Sequence, residues 1–260
     1  MTILYLYAEL MGYQIPVLKQ YTEAYQAEVH VVHWDKKKLT PYAPPVLRSI
    51  YYHKRSEHHR VSLLKFATEL APDIVYVSGW MDRDYIYVCK QLRKLGIPVV
   101  SGSDSQWYGS WKQRVGRYYF RLFLKHAYDY IWVAGPYQFE YARKLGFKKE
   151  EIIFNSYTAD TSLFKAKLEN ESKQVKHTRR FLFVGRFEEV KGIRLLIDAW
   201  DSINEKDSSS LTFIGNGSLK SYMEQHSGII VKDFLQPGGM QFRPSSDCLR
   251  CMWCCSSVYN

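Results

Sequence analysis

Arg186 and Lys191 stand five residues apart between Gly185 and Gly192, directly after the apolar run Phe181-Leu182-Phe183-Val184. A strand that ends in Gly-Arg lets the backbone turn sharply and approach a ligand closely. Lys191-Gly192 then opens a helix ending near Trp200, so two cations meet the positive end of a helix dipole. That combination of side-chain charge and free N–H groups is suited to a phosphate or diphosphate. The competing reading is a surface turn in which Arg186 and Lys191 pair with Glu188 and Glu189. A second strand, Leu211-Thr212-Phe213-Ile214, runs into Gly215-Asn216-Gly217-Ser218-Leu219 ahead of another helix. A lone Gly-x-Gly turn is a weak signal, because many strand-to-helix turns use one. Following the Gly-Arg…Lys-Gly turn in order, it becomes a fairly strong one.

These turns need strands and helices to hold them. Predicted strands cover Thr2–Ala8, Glu28–Trp34, Asp73–Ser78, Pro98–Ser101, Tyr130–Ala134, Glu151–Asn155, Arg180–Val184, Leu211–Ile214 and Gly228–Val231. Between them lie helix-length segments, among them Glu57–Leu70, Arg83–Leu95, Trp111–Ala127 and Pro136–Leu145. Apolar strands alternating with helices predict an α/β protein with parallel sheets covered on both faces. The polar stretch Lys165–Arg179 interrupts the alternation and reads as a linker, or else as a charged surface loop. The expected division is therefore 1–164, a linker 165–179, a partial second domain 180–237, and a tail 238–260 of different character.

The 260 residues are 46% hydrophobic and 24% charged, which suits a folded chain and not a disordered one. A formal charge of +10 calls for an anionic partner: nucleic acid, anionic lipid or phosphorylated small molecules. No apolar run is long enough to span a membrane, and Met1–Tyr7 lacks a basic leader, so a cytoplasmic protein is expected. No Gly-x-Gly-x-x-Gly follows the first strand, which disfavours a dinucleotide oxidoreductase.

The second half resembles the donor domain of the group 1 (family 4-like) retaining glycosyltransferases of GT-B fold, typified by G-R-L-x-x-x-K-G and G-x-G-x-L turns. Gly185, Arg186, Lys191, Gly192, Gly215, Gly217 and Leu219 match, and Phe187 replaces the usual Leu. Tyr128-Asp129-Tyr130-Ile131, Lys144-Leu145-Gly146, Glu151-Ile152-Ile153, Asn155, Asp160 and Phe164 fit that family's passage into the linker more loosely. The resemblance implies two Rossmann-like domains and transfer of a sugar, with retention, from a nucleotide-sugar donor. The acceptor it implies is a polysaccharide or lipid-linked glycan. It assigns donor binding to Gly185, Arg186, Lys191, Gly192, Gly215, Asn216 and Gly217, with Arg186 and Lys191 opposing the charge that builds on the departing diphosphate. It implies no cofactor and no obligatory metal. Gly12-Tyr13 follows the first strand, where the family has a glycine-rich loop, and only one glycine is present. Ser103-Asp104 follows a strand end in a polar stretch, where Asp104 is a candidate acceptor-side acid or base, or else a helix N-cap. Other readings are a non-catalytic nucleotide-diphosphate-binding remnant and, less favoured, a basic nucleic-acid-binding protein.

Trp107–Ala127 combines Arg114, Arg117, Arg121 and Lys125 with Trp111, Val115, Tyr118, Leu122 and Phe123. One reading is a peripheral contact with an anionic membrane surface; the other is an ordinary helix packed on the sheet. No recognised nucleic-acid-binding module accompanies the charge. In the tail, Cys248, Cys251, Cys254 and Cys255 supply one metal hook where a structural zinc site needs two. Cys251-Met252-Trp253-Cys254-Cys255 read two nucleotides later encodes His/Tyr-Val-Val-Leu, an apolar strand. The expectation is a frameshift near Pro237–Gly239, a donor domain cut short and an inactive or nearly inactive chain.

Overall fold

Near-continuous apolar runs give the first unit its sheet: β1 (Thr2–Tyr7), β2 (Glu28–His33), β3 (Ile50–Lys54), β4 (Ile74–Val77), β5 (Val99–Ser103), β6 (Tyr130–Val133) and β7 (Ile152–Ile153). The computed structural model describes residues 1–36, 42–157, 179–203 and 209–233. Asp160, Phe164, residues 165–178 of the expected linker, the segment 234–237 and the cysteine-rich tail 238–260 lie outside the described residues. The chain divides into two compact units, Met1–Asp160 and Thr161–Asn260.

The seven strands lie in the order β3-β2-β1-β4-β5-β6-β7, every neighbouring pair parallel. Strand order therefore reverses between β1 and β4. Open parallel sheets bind ligands outside the carboxyl ends of the strands at such a reversal. Helices α1 (Ile15–Tyr25), α2 (Arg60–Leu70), α3 (Arg83–Lys94), α4 (Trp111–Tyr119) and α5 (Pro136–Lys144) accompany the strands. β1 shows why its strand is apolar at every position: Leu4 and Leu6 pack into one buried cluster with Leu63 of α2 and Val88 of α3. Ile3, Tyr5 and Tyr7 pack into another with Leu18 of α1. The second unit repeats the plan with β8 (Arg179–Val184), α6 (Ile193–Asp201), β9 (Ser209–Ile214), α7 (Lys220–Glu224) and β10 (Ile230–Lys232). Its sheet runs β10-β9-β8, all parallel. Phe183, Phe213, Ile193, Ile197 and Trp200 form its core. The α/β class expected from the alternation is the class observed.

Some boundaries differ from the expectation. Arg179 opens β8 and does not belong to a linker. The helix expected from Glu57 begins at Arg60, because His59 and Ser62 close a reciprocal capping box there (3.1 and 2.9 Å). Gly102 and Ser103 extend β5 two residues past the expected strand end at Ser101, which is fully buried. The 111–127 helix is three pieces: α4, a π-helical turn Phe120–Leu124 and a 3-10 turn Lys125–Ala127. β3 was not expected, and it holds the sheet edge through a histidine stack. His30 Nδ1 lies 3.0 Å from His53 Nε2, with the rings nearly coplanar at 5.3 Å, and His30 also meets Glu28 at 2.9 Å.

Burial, followed by the neighbouring His30 and His58 rings, pushes the His53 imidazole below its ordinary value of 6.5. The folded state thus resists a proton that the unfolded chain accepts. Stability from this site is complete above about pH 6.5 and falls as pH drops below it toward the lowered folded value. Denaturant titrations from pH 7.5 to 5.5 are expected to show that loss, and His53→Gln to make it shallower. A pH slope identical in the variant would remove His53 as its source.

Candidate functional site

In the second unit the two glycine turns are tied to each other strand by strand. Gly185 N–H donates to the Ile214 carbonyl (3.0 Å), Phe187 N–H to that of Asn216 (2.9 Å), and Leu219 N–H to that of Phe187 (2.9 Å). Gly192 takes a left-handed φ of 68° where the 3-10 turn Glu189–Lys191 hands over to α6. The parallel pairing of β8 with β9, Val184 opposite Ile214, brings both turns to the same end of the sheet. Gly185, Arg186, Lys191, Gly192, Gly215, Asn216 and Gly217 are thereby gathered at the carboxyl ends of adjacent strands.

The carboxylates expected to compete for the cations are occupied elsewhere. Glu188 accepts from the Ser218 N–H (3.2 Å) and hydroxyl (2.8 Å), and Glu189 pairs with Arg194 at 2.8 Å. Ser218's hydrogen bonds, then the charge of Arg186, hold the Glu188 carboxyl below the usual carboxylate range. Neither Arg186 nor Lys191 makes a side-chain hydrogen bond or ion pair with a described residue. Arg186 is exposed and Lys191 half-buried. Two cations that pair with no described residue, beside tight glycine turns, can take an anion without first breaking a contact to one.

In the first unit the other candidates also meet. Gly12–Gln14 is a 3-10 turn directly ahead of α1, beyond the end of β1. Its backbone needs no glycine, since Gly12 is outside the left-handed region. Tyr13 packs edge-on against Tyr157, ring centres 6.0 Å apart, and the Tyr157 hydroxyl donates to Asp104 Oδ2 at 3.1 Å. Asp104 is placed from the other side by Gln138, whose amide donates to its carbonyl at 3.2 Å. Ser103 is the last residue of β5, immediately before it. The N-cap role for Asp104 does not arise, because α4 starts at Trp111 and is capped by Ser110. Burial, reinforced by the Asp104 carboxylate and by Tyr13, pushes the Tyr157 phenol up, so it stays a donor and leaves Asp104 the acceptor. Burial likewise raises Tyr13. Tyr157 carried no sequence signal, since its partner lies 53 residues away.

Two α/β units with parallel sheets, each with its loops at the strands' carboxyl ends, define the two-Rossmann GT-B architecture, and solved structures agree. The lipopolysaccharide outer core galactosyltransferase WaaB in its apo form matches at TM-score 0.57 and 15% identity, over 96% of this chain and 72% of that one. Anabaena HepE in complex with UDP-glucose matches at 0.56 and 13%, over 90% and 69%. The UDP-GlcNAc 2-epimerase of Neisseria meningitidis, bound to UDP-GlcNAc, matches at 0.55 and 12%, over 91% and 73%. At such identities the likeness is one of fold. No curated protein matches the chain. Residues 164–228, which contain both glycine turns, match the family described as glycosyl transferases group 1. That match covers the part of the second unit that carries the Arg186 and Lys191 turn.

Proposed function

We propose that the second unit binds a nucleotide sugar through the Gly185–Gly192 and Gly215–Gly217 turns, and that the first unit presents an acceptor hydroxyl near Tyr13 and Asp104. The observation that carries this reading is that Arg186 and Lys191 pair with no described residue and stand beside the paired glycine turns. In the reaction the anomeric C–O bond to the diphosphate breaks and its electron pair goes to the leaving oxygen. The acceptor oxygen bonds to the same carbon with retention and gives up its proton, for which Asp104 is the candidate base. Arg186 and Lys191 are engaged more strongly as charge builds on the diphosphate, which lowers the barrier without a metal. UDP-glucose is the first probe, since HepE is described in complex with it. Uridine diphosphate is expected to bind at least about tenfold more tightly than uridine, because only the former reaches the cations. Equal affinities in calorimetry would reject the donor site.

The acceptor in this reading is a lipid-linked or polymeric glycan reached at the inner face of the membrane, with the protein otherwise cytoplasmic. Supporting it is the helical stretch 111–127, in which Trp111, Val115, Tyr118, Tyr119, Leu122 and Phe123 are all exposed beside Lys112, Arg114 and Arg121. Only Phe120 in α4 and the π turn is buried, against Trp80 and Phe147. None of the described helices is long and apolar enough to cross a membrane. A cation near an anionic surface contributes on the order of 1 kcal/mol, and the apolar side chains add their burial. Phosphatidylglycerol vesicles are expected to sediment the protein and phosphatidylcholine vesicles not. The Trp111→Ser, Leu122→Ser, Phe123→Ser variant should lose at least about 90% of that binding. Equal sedimentation with neutral vesicles, or an unaffected variant, would contradict a membrane contact here.

A further inference from the structure

The loops that follow β2 and β3, with the loop between β4 and α3, enclose a cleft of about 420 Å3, a size typical of small-molecule sites. Its lining is pre-set by ionic contacts. Asp82 accepts from Arg55 Nε (2.9 Å), Trp34 Nε1 (3.1 Å) and the Asp84 N–H (2.9 Å). Arg55 also reaches Asp84 at 2.7 Å, so it cannot turn to a ligand without giving up two ion pairs. Asp35 accepts the Ser56 N–H (2.9 Å) and hydroxyl (2.5 Å). The Arg55 and Ser56 contacts hold the Asp82 and Asp35 carboxyls below their usual range, although burial opposes this, so both stay ionised.

Lys36 and Arg83 lie in the same lining and make no hydrogen bond or ion pair with a described residue. They enter from different loops, one after β2 and one at the start of α3. Three cations therefore face two carboxylates, an excess of one positive charge, and Lys36 and Arg83 are the two cations that pair with no described residue. Such a balance suits one anionic group and not a polyanion, which Asp35 and Asp82 would repel. Asp35, which accepts one bond on each oxygen from Ser56, keeps lone pairs that hydroxyl groups can fill, whereas Asp82 is saturated by Arg55, Trp34 and the Asp84 and Tyr85 N–H groups; the Trp34 ring offers an apolar wall.

We propose that this cleft binds an anionic sugar, with its phosphate or carboxylate held by Lys36 and Arg83 and its hydroxyls by Asp35 and Ser56. Its use as an acceptor subsite rests on the transferase reading above; the binding itself does not. The test titrates the full chain with glucose 6-phosphate, glucuronate, glucose and inorganic phosphate, followed by calorimetry or ligand-observed NMR. Glucose 6-phosphate or glucuronate is expected to bind at least about tenfold more tightly than either glucose or inorganic phosphate. The Lys36→Gln, Arg83→Gln variant should lose that advantage. Inorganic phosphate binding as tightly as the sugar acids would leave an anion site without saccharide recognition and overturn the proposal. So would an advantage that survives in the variant, or no saturable binding at all. Uridine diphosphate binding, measured on the same samples, reports on the Arg186 turn alone, so the two readings succeed or fail separately.

Discussion

Replacing Arg186 with Ala is expected to weaken uridine diphosphate binding by about 10- to 100-fold, the loss of a charge-assisted hydrogen bond to phosphate. Arg186→Ala combined with Lys191→Ala should remove the preference of the protein for uridine diphosphate over uridine. Arg186→Lys is expected to fall between, because it keeps the charge and loses the planar fork that matches phosphate oxygens. The loss should shrink as salt rises, since Arg186 is exposed and its charge is screened. Folding should be unaffected by these changes. Glu188 is satisfied by Ser218 and Glu189 by Arg194, so removing Arg186 strands no carboxylate. A binding loss without a change in unfolding temperature is thus the signature of a ligand cation. Unchanged affinity in the double variant would show that the turn does not read the diphosphate.

The same turn shows what a sequence makes legible. Gly185, Arg186, Lys191 and Gly192 sit within eight residues, so their chemistry is written locally. What the turn does with Glu188 is not local, for its carboxylate goes to Ser218, thirty residues on. Asp104 could be picked out by its place after a strand, whereas Tyr157 could not, because only the fold brings the two together. The Arg55–Asp82 contact spans 27 residues and matches no motif, which is why the cleft it braces was invisible. Strands buried on both faces, such as β1, announce themselves by unbroken apolar residues. β3 does not: Ile50 is its only buried residue, and its pairing with β2 supplies what its composition lacks.

The 111–127 stretch is the instructive case. Trp111, Val115, Tyr118 and Leu122 have the spacing of a buried helical face, yet all four are exposed. The anchoring side chain is Phe120, at the start of a π-helical turn. Trp111, Val115 and Tyr118 lie in α4, which buries none of its residues, so helical spacing of apolar side chains there does not mark a packed face.

Gly215→Ala is expected to destabilise the second unit by about 3 kcal/mol, the upper end of what an overpacked site costs. A Cβ there would overlap the Gly185 carbonyl oxygen and lie 3.1 Å from Cε1 of the Phe187 ring. The ring belongs to a fully buried residue, and the carbonyl to a turn that hydrogen bonds to the Ile214 carbonyl through its own N–H. Relief therefore requires β8 and β9 to part at their carboxyl ends, where Arg186 is held. Gly217→Ala meets the same obstacle from the next turn, its Cβ 2.5 Å from the Phe187 carbonyl oxygen. Gly116→Ala supplies the contrast, since no atom lies within 4 Å of its Cβ in the interior of α4. There Ala should stabilise by about 0.5–1 kcal/mol through helix propensity alone. Hydrogen exchange resolves the effects: amides of β8 and β9 should lose protection in Gly215→Ala while those of β1 and β4 keep it. Should β8 and β9 remain as protected as in the parent chain, the close approach of the two turns is not what holds the Arg186 turn in place. If protection and uridine diphosphate affinity fall together, the glycines act by fixing Arg186, and the two turns function as one unit.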